Sequence, residues 1–301
     1  MGKIAFVFPG QGAQYPGMGK SLYETSDAAR MVYDTCGADS SQAGEIMNIS
    51  FNGSKEDLLP TKVAQPAIFM ADLAAAFALR EKGIIADGAA GFSLGEVPAL
   101  AYCGLLGIKE AFDFVCFRGE AMHQATLDHK GGMMAVLGLS AEAVESVCAE
   151  VDGAYPANYN TPGQVVVAYR ADAAEGLKAA ISAAKGKAMP LPVAGAFHSP
   201  LMDDAAGKIA GYLDKLKFNE PEIPLYANVT GRVYGHSDGP KVLLARQVSN
   251  PVLWQETIER MIADGYDTFV EAGPGKILAG MINKIGKKIG KDVQILEAID
   301  V

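Results

Sequence analysis

The chain has 301 residues, 50% hydrophobic and 20% charged, with a net charge of −9 at neutral pH. That supports one large domain or two unequal ones around a sizeable core. The acidic balance argues against nucleic acid as a bulk partner, and no stretch reads as long and apolar enough to cross a membrane. Residues 2–8 lack the charged lead and apolar length of a signal peptide. Cys36, Cys103, Cys116 and Cys148 stand apart with no C-x-x-C pair, so neither a zinc site nor a disulfide framework is expected. A cytoplasmic protein is the natural expectation.

Lys3-Ile4-Ala5-Phe6-Val7-Phe8 reads as a buried strand running into Pro9-Gly10-Gln11-Gly12-Ala13-Gln14. Strand then Gly-x-Gly invites a dinucleotide reading, but Tyr15 stands where the third glycine must be. Gln11 in such a loop is instead placed to offer a backbone N–H to a negatively charged atom; the plain alternative is a solvated glutamine. Residues 19 to about 60 read as helices and loops with no chemical signal. A long helix follows over Ala64 to Lys82, with Pro66 placed in its first turn.

Ala89-Ala90-Gly91-Phe92-Ser93-Leu94-Gly95-Glu96 is the stretch around which the chain is organised. Gly-x-Ser-x-Gly at a strand-to-helix junction is a nucleophile elbow. Its tight turn leaves little room for flanking side chains and lifts the serine Oγ at the strand end. The following helix points N–H groups to where an oxyanion would form. A helix over about Lys109 to Leu127 then carries Arg118 at the end of an apolar run. Such an arginine should be paired, either with an internal carboxylate or with an anionic substrate.

Residues 131–192 change character. Strands over Met133–Leu139, Ala154–Tyr159, Gln164–Tyr169 and Ala188–Pro192 alternate with helices over Ala141–Glu150 and Ala171–Lys185. The order β-α-β-β-α-β is the ferredoxin-like signature, and Asn160-Thr161-Pro162-Gly163 reads as the turn between the central strands. A small inserted subdomain is therefore expected at 131–192, with 1–130 and 193–301 forming a large α/β catalytic subdomain.

Of four histidines, His123 and His129 fall on or just past a helix and His236 lies in a polar loop. His198 sits at the end of an apolar stretch, just before a helix start at Ser199-Pro200. It is the candidate base, weighed against a satisfied structural histidine. Leu225–Val229 reads as a strand, and Thr268–Glu271 as another. The latter ends at Gly273-Pro274-Gly275-Lys276, which lacks the glycine and hydroxyl of a phosphate-binding loop. Strand–helix alternation on both sides of the insert argues for a parallel sheet.

These stretches together resemble the malonyl-CoA:acyl carrier protein transacylases of fatty-acid and polyketide synthesis. The likeness spans nearly the whole chain. It is carried by Pro9 to Gln14, Gly91 to Glu96, Arg118 with Gly119 and Met122, and Asn160 to Val166. It continues through Phe197 to Met202, Ala227 to Gly231, Arg246-Gln247 with Asn250-Pro251, and Gly273 to Lys276. The resemblance implies an α/β-hydrolase-like core with a ferredoxin-like subdomain. It also implies Ser93 as nucleophile, His198 as base and later acid, and backbone N–H groups of Gln11 and Leu94 as oxyanion hole. Arg118 would clamp the malonyl carboxylate, and Gln247 would orient His198 through its backbone carbonyl, with Phe197 and Asn160 in supporting places. Malonyl-CoA and a phosphopantetheinylated acyl carrier protein would be the partners. No metal or bound cofactor is implied, coenzyme A arriving as part of the substrate.

A dyad suffices if a neutral acceptor fixes the imidazole tautomer. The departure from the family is Phe92, where histidine is usual. Two rival readings are a serine hydrolase or thioesterase acting on carrier-bound acyl groups, and a non-catalytic subunit that docks carrier proteins.

Overall fold

The structure is a computed structural model, and it describes residues 2–38, 41–193, 195–235 and 238–296. His236 and Ala194 of the sequence reading lie outside the described residues. Two sheets divide the molecule. Strands β1 (Lys3–Phe8), β2 (Gly88–Gly91), β7 (Leu225–Tyr226), β8 (Tyr266–Glu271) and β9 (Gln294–Leu296) form a parallel sheet in the order β7-β2-β1-β8-β9. Strands β3 (Gly131–Leu137), β4 (Ala154–Thr161), β5 (Gln164–Arg170) and β6 (Lys187–Pro190) form a separate antiparallel sheet in the order β4-β5-β3-β6.

The period-2 geometry of strands sorts the core. In β1, Phe6 and Phe8 pack beneath the Thr61–Glu81 and Ile108–Asp128 helices, while Ala5 and Val7 face Trp254, Ile258 and Ile282 on the other side. The β3–β5 pair divides likewise. Met134, Val136, Val165 and Val167 build the small sheet's own core with Leu177 and Ile181, whereas Met133, Ala135 and Val166 face the large unit. The outer edge of β4 is tied to that unit by Tyr159 N–H to Val252 C=O and Val252 N–H to Ala157 C=O, at 2.9 Å each. A sheet edge is thereby covered rather than left open.

Four expectations change. The Thr61–Glu81 helix is long and apolar enough, by length and composition, to cross a membrane, contrary to the sequence reading. It is instead a core helix, with Ala67, Ile68, Leu73 and Ala78 fully buried. The same helix begins three residues earlier than expected, so Pro66 lies inside it and not in its first turn. Asn160 belongs to β4, not to a turn, because Thr161 still pairs with Gln164 and the reversal is left to Pro162-Gly163, with Gly163 at φ 80°. Finally, the expected strand Leu225–Val229 pairs only through Leu225 and Tyr226 before the chain turns at Ala227.

Candidate active site

Because its strands are parallel, the large sheet delivers every strand's carboxyl end to one edge, where ligands of such sheets bind. Gln11 follows β1 there, Ser93 follows β2 and Asn228 follows β7. At the elbow the chain passes from β2 into a 3-10 turn, Ser93–Gly95, and then the helix Glu96–Tyr102. A side chain on Gly91 would run into the Gly95 backbone, and one on Gly95 into the Phe8 carbonyl. Only glycine fits both places.

Among the described residues three non-glycine residues have positive φ: Ser93 at 55°, Lys185 at 66° and His198 at 59°. Such conformations persist only where the surroundings over-determine them, and they cluster at functional sites. Two of the three face each other. Ser93 Oγ lies 2.7 Å from His198 Nε2, and His198 Nδ1 lies 2.7 Å from the Gln247 carbonyl oxygen. A carbonyl can only accept, so Nδ1 carries the proton and Nε2 is free to accept from the serine hydroxyl. The imidazole is held further by its own backbone N–H on Val248 C=O at 3.0 Å. Burial, and then the nearby Arg118 cation, push His198 down to about 4, against the opposing pull of the Gln247 and Asn250 backbone. The ring is therefore neutral at physiological pH, the state a base requires.

Arg118, on the Ile108–Asp128 helix, is 1% exposed. Among the described residues it makes no direct ion pair with an internal carboxylate, the first of the two partners expected from sequence. Its guanidinium donates to two amide oxygens, Gln65 Oε1 at 2.6 Å and Gln247 Oε1 at 2.8 Å. Burial lowers it to about 10 while Glu96 opposes that shift, so it stays cationic at neutral pH. Glu96 is buried in turn and raised to about 7 by desolvation, despite donors from Tyr234, Gln247 and Asn228.

A cavity of about 250 Å³ opens over the dyad. Gln11, Phe92, Ser93, Leu94, Asn160, Phe197 and His198 line it, with Met133, Ala135 and Val166 of the small sheet opposite. Arg118 and Gln247 stand behind this wall, but Gln65, which Arg118 holds, is part of it. Leu94 is the second residue of the 3-10 turn, where a backbone N–H has no intrahelical acceptor. The Gln11 side chain is tied back to Thr61 Oγ1 at 3.2 Å. Phe92 packs edge-on against Trp254, ring centroids 5.4 Å apart. Asn160 Oδ1 is buried without a hydrogen-bond partner among the described residues. His129 pairs with Asp204 at 3.2 Å, away from the dyad, and His123 lines a neighbouring cleft.

Sequence reasoning passed over Glu96, Gln65 and Asn228. Glu96 and Asn228 lie inside the quoted motifs, and the available signals were an acid opening the elbow helix and a polar residue just past an apolar strand. Gln65 had none.

The pattern describing an acyl transferase domain matches residues 5–298. The chain is 39% identical over 297 residues to the malonyl CoA-acyl carrier protein transacylase of Bacillus subtilis (strain 168), covering 96% of this chain and 92% of that one. It is 37% identical over 291 residues to the protein of that name from Escherichia coli (strain K12), covering 95% and 93%. The crystal structure of the Clostridium perfringens malonyl CoA-acyl carrier protein transacylase superposes with TM-score 0.93 at 35% identity, covering 99% and 94%. A malonyl-transacylase in complex with a holo type II PKS acyl-carrier protein superposes with TM-score 0.92 at 32% identity, covering 99% and 96%.

Proposed function

We propose, on the premise that the chain belongs to the acyl transferase domain family, that it moves a malonyl group from malonyl-CoA to the phosphopantetheine thiol of an acyl carrier protein. The single observation that carries this reading is the Ser93–His198–Gln247 alignment set in front of a buried arginine. His198 Nε2 takes the hydroxyl proton as Ser93 Oγ attacks the thioester carbonyl. The oxyanion is received by backbone N–H groups of Gln11 and Leu94. Collapse breaks the C–S bond, and His198 returns its proton to the departing coenzyme A thiolate. The carrier thiol then gives its proton to His198 and attacks the malonyl ester, and collapse restores the Ser93 hydroxyl. One site thus serves two thiols in turn. Coenzyme A and the pantetheine arm arrive as substrate parts, and the reaction calls for no metal or bound cofactor.

Arg118 provides for the acyl end. Two of its five N–H donors are engaged by glutamine oxygens, and the malonyl carboxylate reaches the rest by displacing the Gln65 amide from the cavity wall. A bound carboxylate also offsets the cation that depresses His198, so malonyl sharpens its own base while acetyl does not. Phe197 narrows the cavity beside the dyad, and Asn160 supplies an acceptor to it.

Residues 1–130 and 193–301 form the large catalytic subdomain in this reading, and 131–192 the small one. Carrier docking is assigned to the Ile277–Lys288 helix and its N-cap Lys276: Ile277 and Met281 line the cavity, and Lys276, Lys284, Lys287 and Lys288 oppose an acidic partner. A cytoplasmic setting suits Cys36, Cys103, Cys116 and Cys148, all buried and free.

Intact-protein mass spectrometry after incubation with a panel of acyl-CoAs tests the assignment. Malonyl should be retained on the protein without a thiol acceptor and vanish in Ser93→Ala. Rapid turnover to free malonate would make the protein a hydrolase.

A further inference from the structure

The elbow holds Ser93 in a conformation that a non-glycine residue rarely adopts, and the glycines on either side only make room for it. Something has to hold it there. The β2–β7 ladder pairs Ala89 with Leu225 and Ala90 with Tyr226, then stops as the chain turns away at Ala227. Beyond that point Asn228 takes over with its side chain. Its Oδ1 accepts the Ser93 backbone N–H at 2.7 Å, and its Nδ2 donates to the Gly91 carbonyl at 2.6 Å. A carboxamide carries the same donor and acceptor as a peptide unit, so it can act as one more rung on a strand that has ended.

The carboxamide is fixed in turn. Asn228 is fully buried, and its backbone N–H donates to Glu96 Oε2 at 3.3 Å. Its carbonyl accepts from Leu253 N–H at 2.9 Å. Gln247 Nε2 lies 2.7 Å from the Ser93 carbonyl, 2.6 Å from Glu96 Oε2 and 3.4 Å from Asn228 Oδ1. Gln247 is also the residue whose backbone carbonyl orients His198 and whose side-chain oxygen faces Arg118. Nucleophile, base and cation are therefore referred to one buried polar cluster. Every member found there is satisfied, the condition under which such a network rigidifies a site.

We propose that Asn228 is a positioning residue for the nucleophile: its carboxamide, locked by Glu96 and Gln247, clips Gly91 to Ser93 and holds the serine at positive φ in line with His198 Nε2. The proposal rests on Ser93 as the acyl acceptor, the reading put forward above. Asn228 is fully buried and does not line the cavity, so it acts on alignment and not on substrate affinity. Using the Ser93 N–H itself also leaves the Leu94 N–H as the elbow's donor to an oxyanion.

The test is a rapid-quench measurement of Ser93 acylation by malonyl-CoA in the wild type and in Asn228→Ala, normalised to folded protein. The expected result is a fall of ~10²-fold in the acylation rate constant, the scale of an ångström's misplacement, with little change in the malonyl-CoA concentration for half-saturation. A rate constant close to that of the wild type, or a loss confined to half-saturation, would overturn the clip. Should the variant not fold, amide exchange in the wild type decides. The Ser93 amide hydrogen is expected to exchange at least ~10²-fold more slowly than an unprotected amide, and exchange at the unprotected rate overturns the proposal. No malonyl on wild-type Ser93 would instead sink the transferase reading, leaving the clip to the exchange measurement.

Discussion

The two sheets meet across one cavity and contribute to it in opposite ways. The carboxyl edge of the parallel sheet brings strained backbone and buried polar groups: Ser93 and His198 at positive φ, with Glu96, Arg118, Asn228 and Gln247 each at most 1% exposed. The antiparallel sheet brings no charge: Met133, Ala135 and Val166, from the face opposite its own core, and the neutral amides Asn158, Asn160 and Gln164. On the first side chemistry depends on hydrogen-bond geometry, where one lost partner leaves a buried group unsatisfied. On the second, the apolar residues act through shape, where a methyl group more or less is the unit of change. Substitutions on the two sides should differ in size and in kind.

The largest effect is expected at the dyad. Ser93→Ala should abolish acyl-enzyme formation, and His198→Ala should slow it by ~10⁴-fold or more, because dyad members act as a unit. Melting temperatures should hardly move in Ser93→Ala, since one hydroxyl is removed. Mass spectrometry of the acylated protein reads both, and a loss under tenfold in His198→Ala would make that histidine structural.

Next comes Arg118→Ala. Losing a charge-assisted contact of about 1.5–3 kcal/mol should lower the malonyl-to-acetyl ratio of acylation rates by about 10- to 100-fold. Arg118→Lys should recover only part, because an ammonium lacks the planar fork. An unchanged ratio in Arg118→Ala would reduce the arginine to a structural partner of Gln65 and Gln247.

The acid limb of the pH profile is a finer probe of the same side. With His198 lowered to about 4, its own protonation should cut the acylation rate at low malonyl-CoA only in that region, any change nearer 7 belonging to Glu96, which burial raises to about 7. Arg118→Ala removes one of the causes of the depression, so its limb should move to higher pH. The stability linkage has a definite sign. The unfolded histidine binds a proton near its usual value of about 6.5 while the folded one does not. Stability from this group is thus present above about 6.5 and is lost as pH falls toward about 4. An acid limb near 6.5 that persists in Glu96→Gln would mean that the ring is wetter than its 3% exposure implies.

The smallest effects belong to shape and surface. Ala135→Val adds two methyl groups to the cavity wall and should slow malonyl acylation by less than tenfold, with the malonyl-to-acetyl ratio nearly kept. Phe92→His gives up part of an aromatic contact with Trp254, of order 0.5–1.5 kcal/mol, and should show mainly as a lower melting temperature, activity being retained. A large loss of activity there would mean that the elbow's surroundings are fitted to phenylalanine. Glu substitution of Lys284 should slow carrier association at low salt and have little effect at high salt.

Much of the catalytic edge was legible because its signals are local. The Gly91–Gly95 spacing specifies a turn that forbids side chains, and the short apolar runs before Gln11 and Ser93 specify buried parallel strands. The β-α-β-β-α-β order of residues 131–192 likewise follows from alternating periodicities. Where the sequence reading erred, backbone pairing and side-chain contacts overrode the turn and strand signals of the sequence. Asn160 stays in its strand because Thr161 still finds Gln164, and β7 stops after Tyr226 as Asn228 turns toward the elbow.

The sequence by itself determined which residue types were on hand and which backbone turns were forced, since steric exclusion acts between neighbours in the chain. Only the tertiary structure decided who meets whom: His198 with Ser93 across 105 positions, Arg118 with Gln247 across 129, and Asn228 with Gly91 across 137. The physical reason is burial. An arginine or glutamate withdrawn from water must be answered by polar partners, and those are chosen by the packing of the strands and helices that carry them, not by separation along the chain.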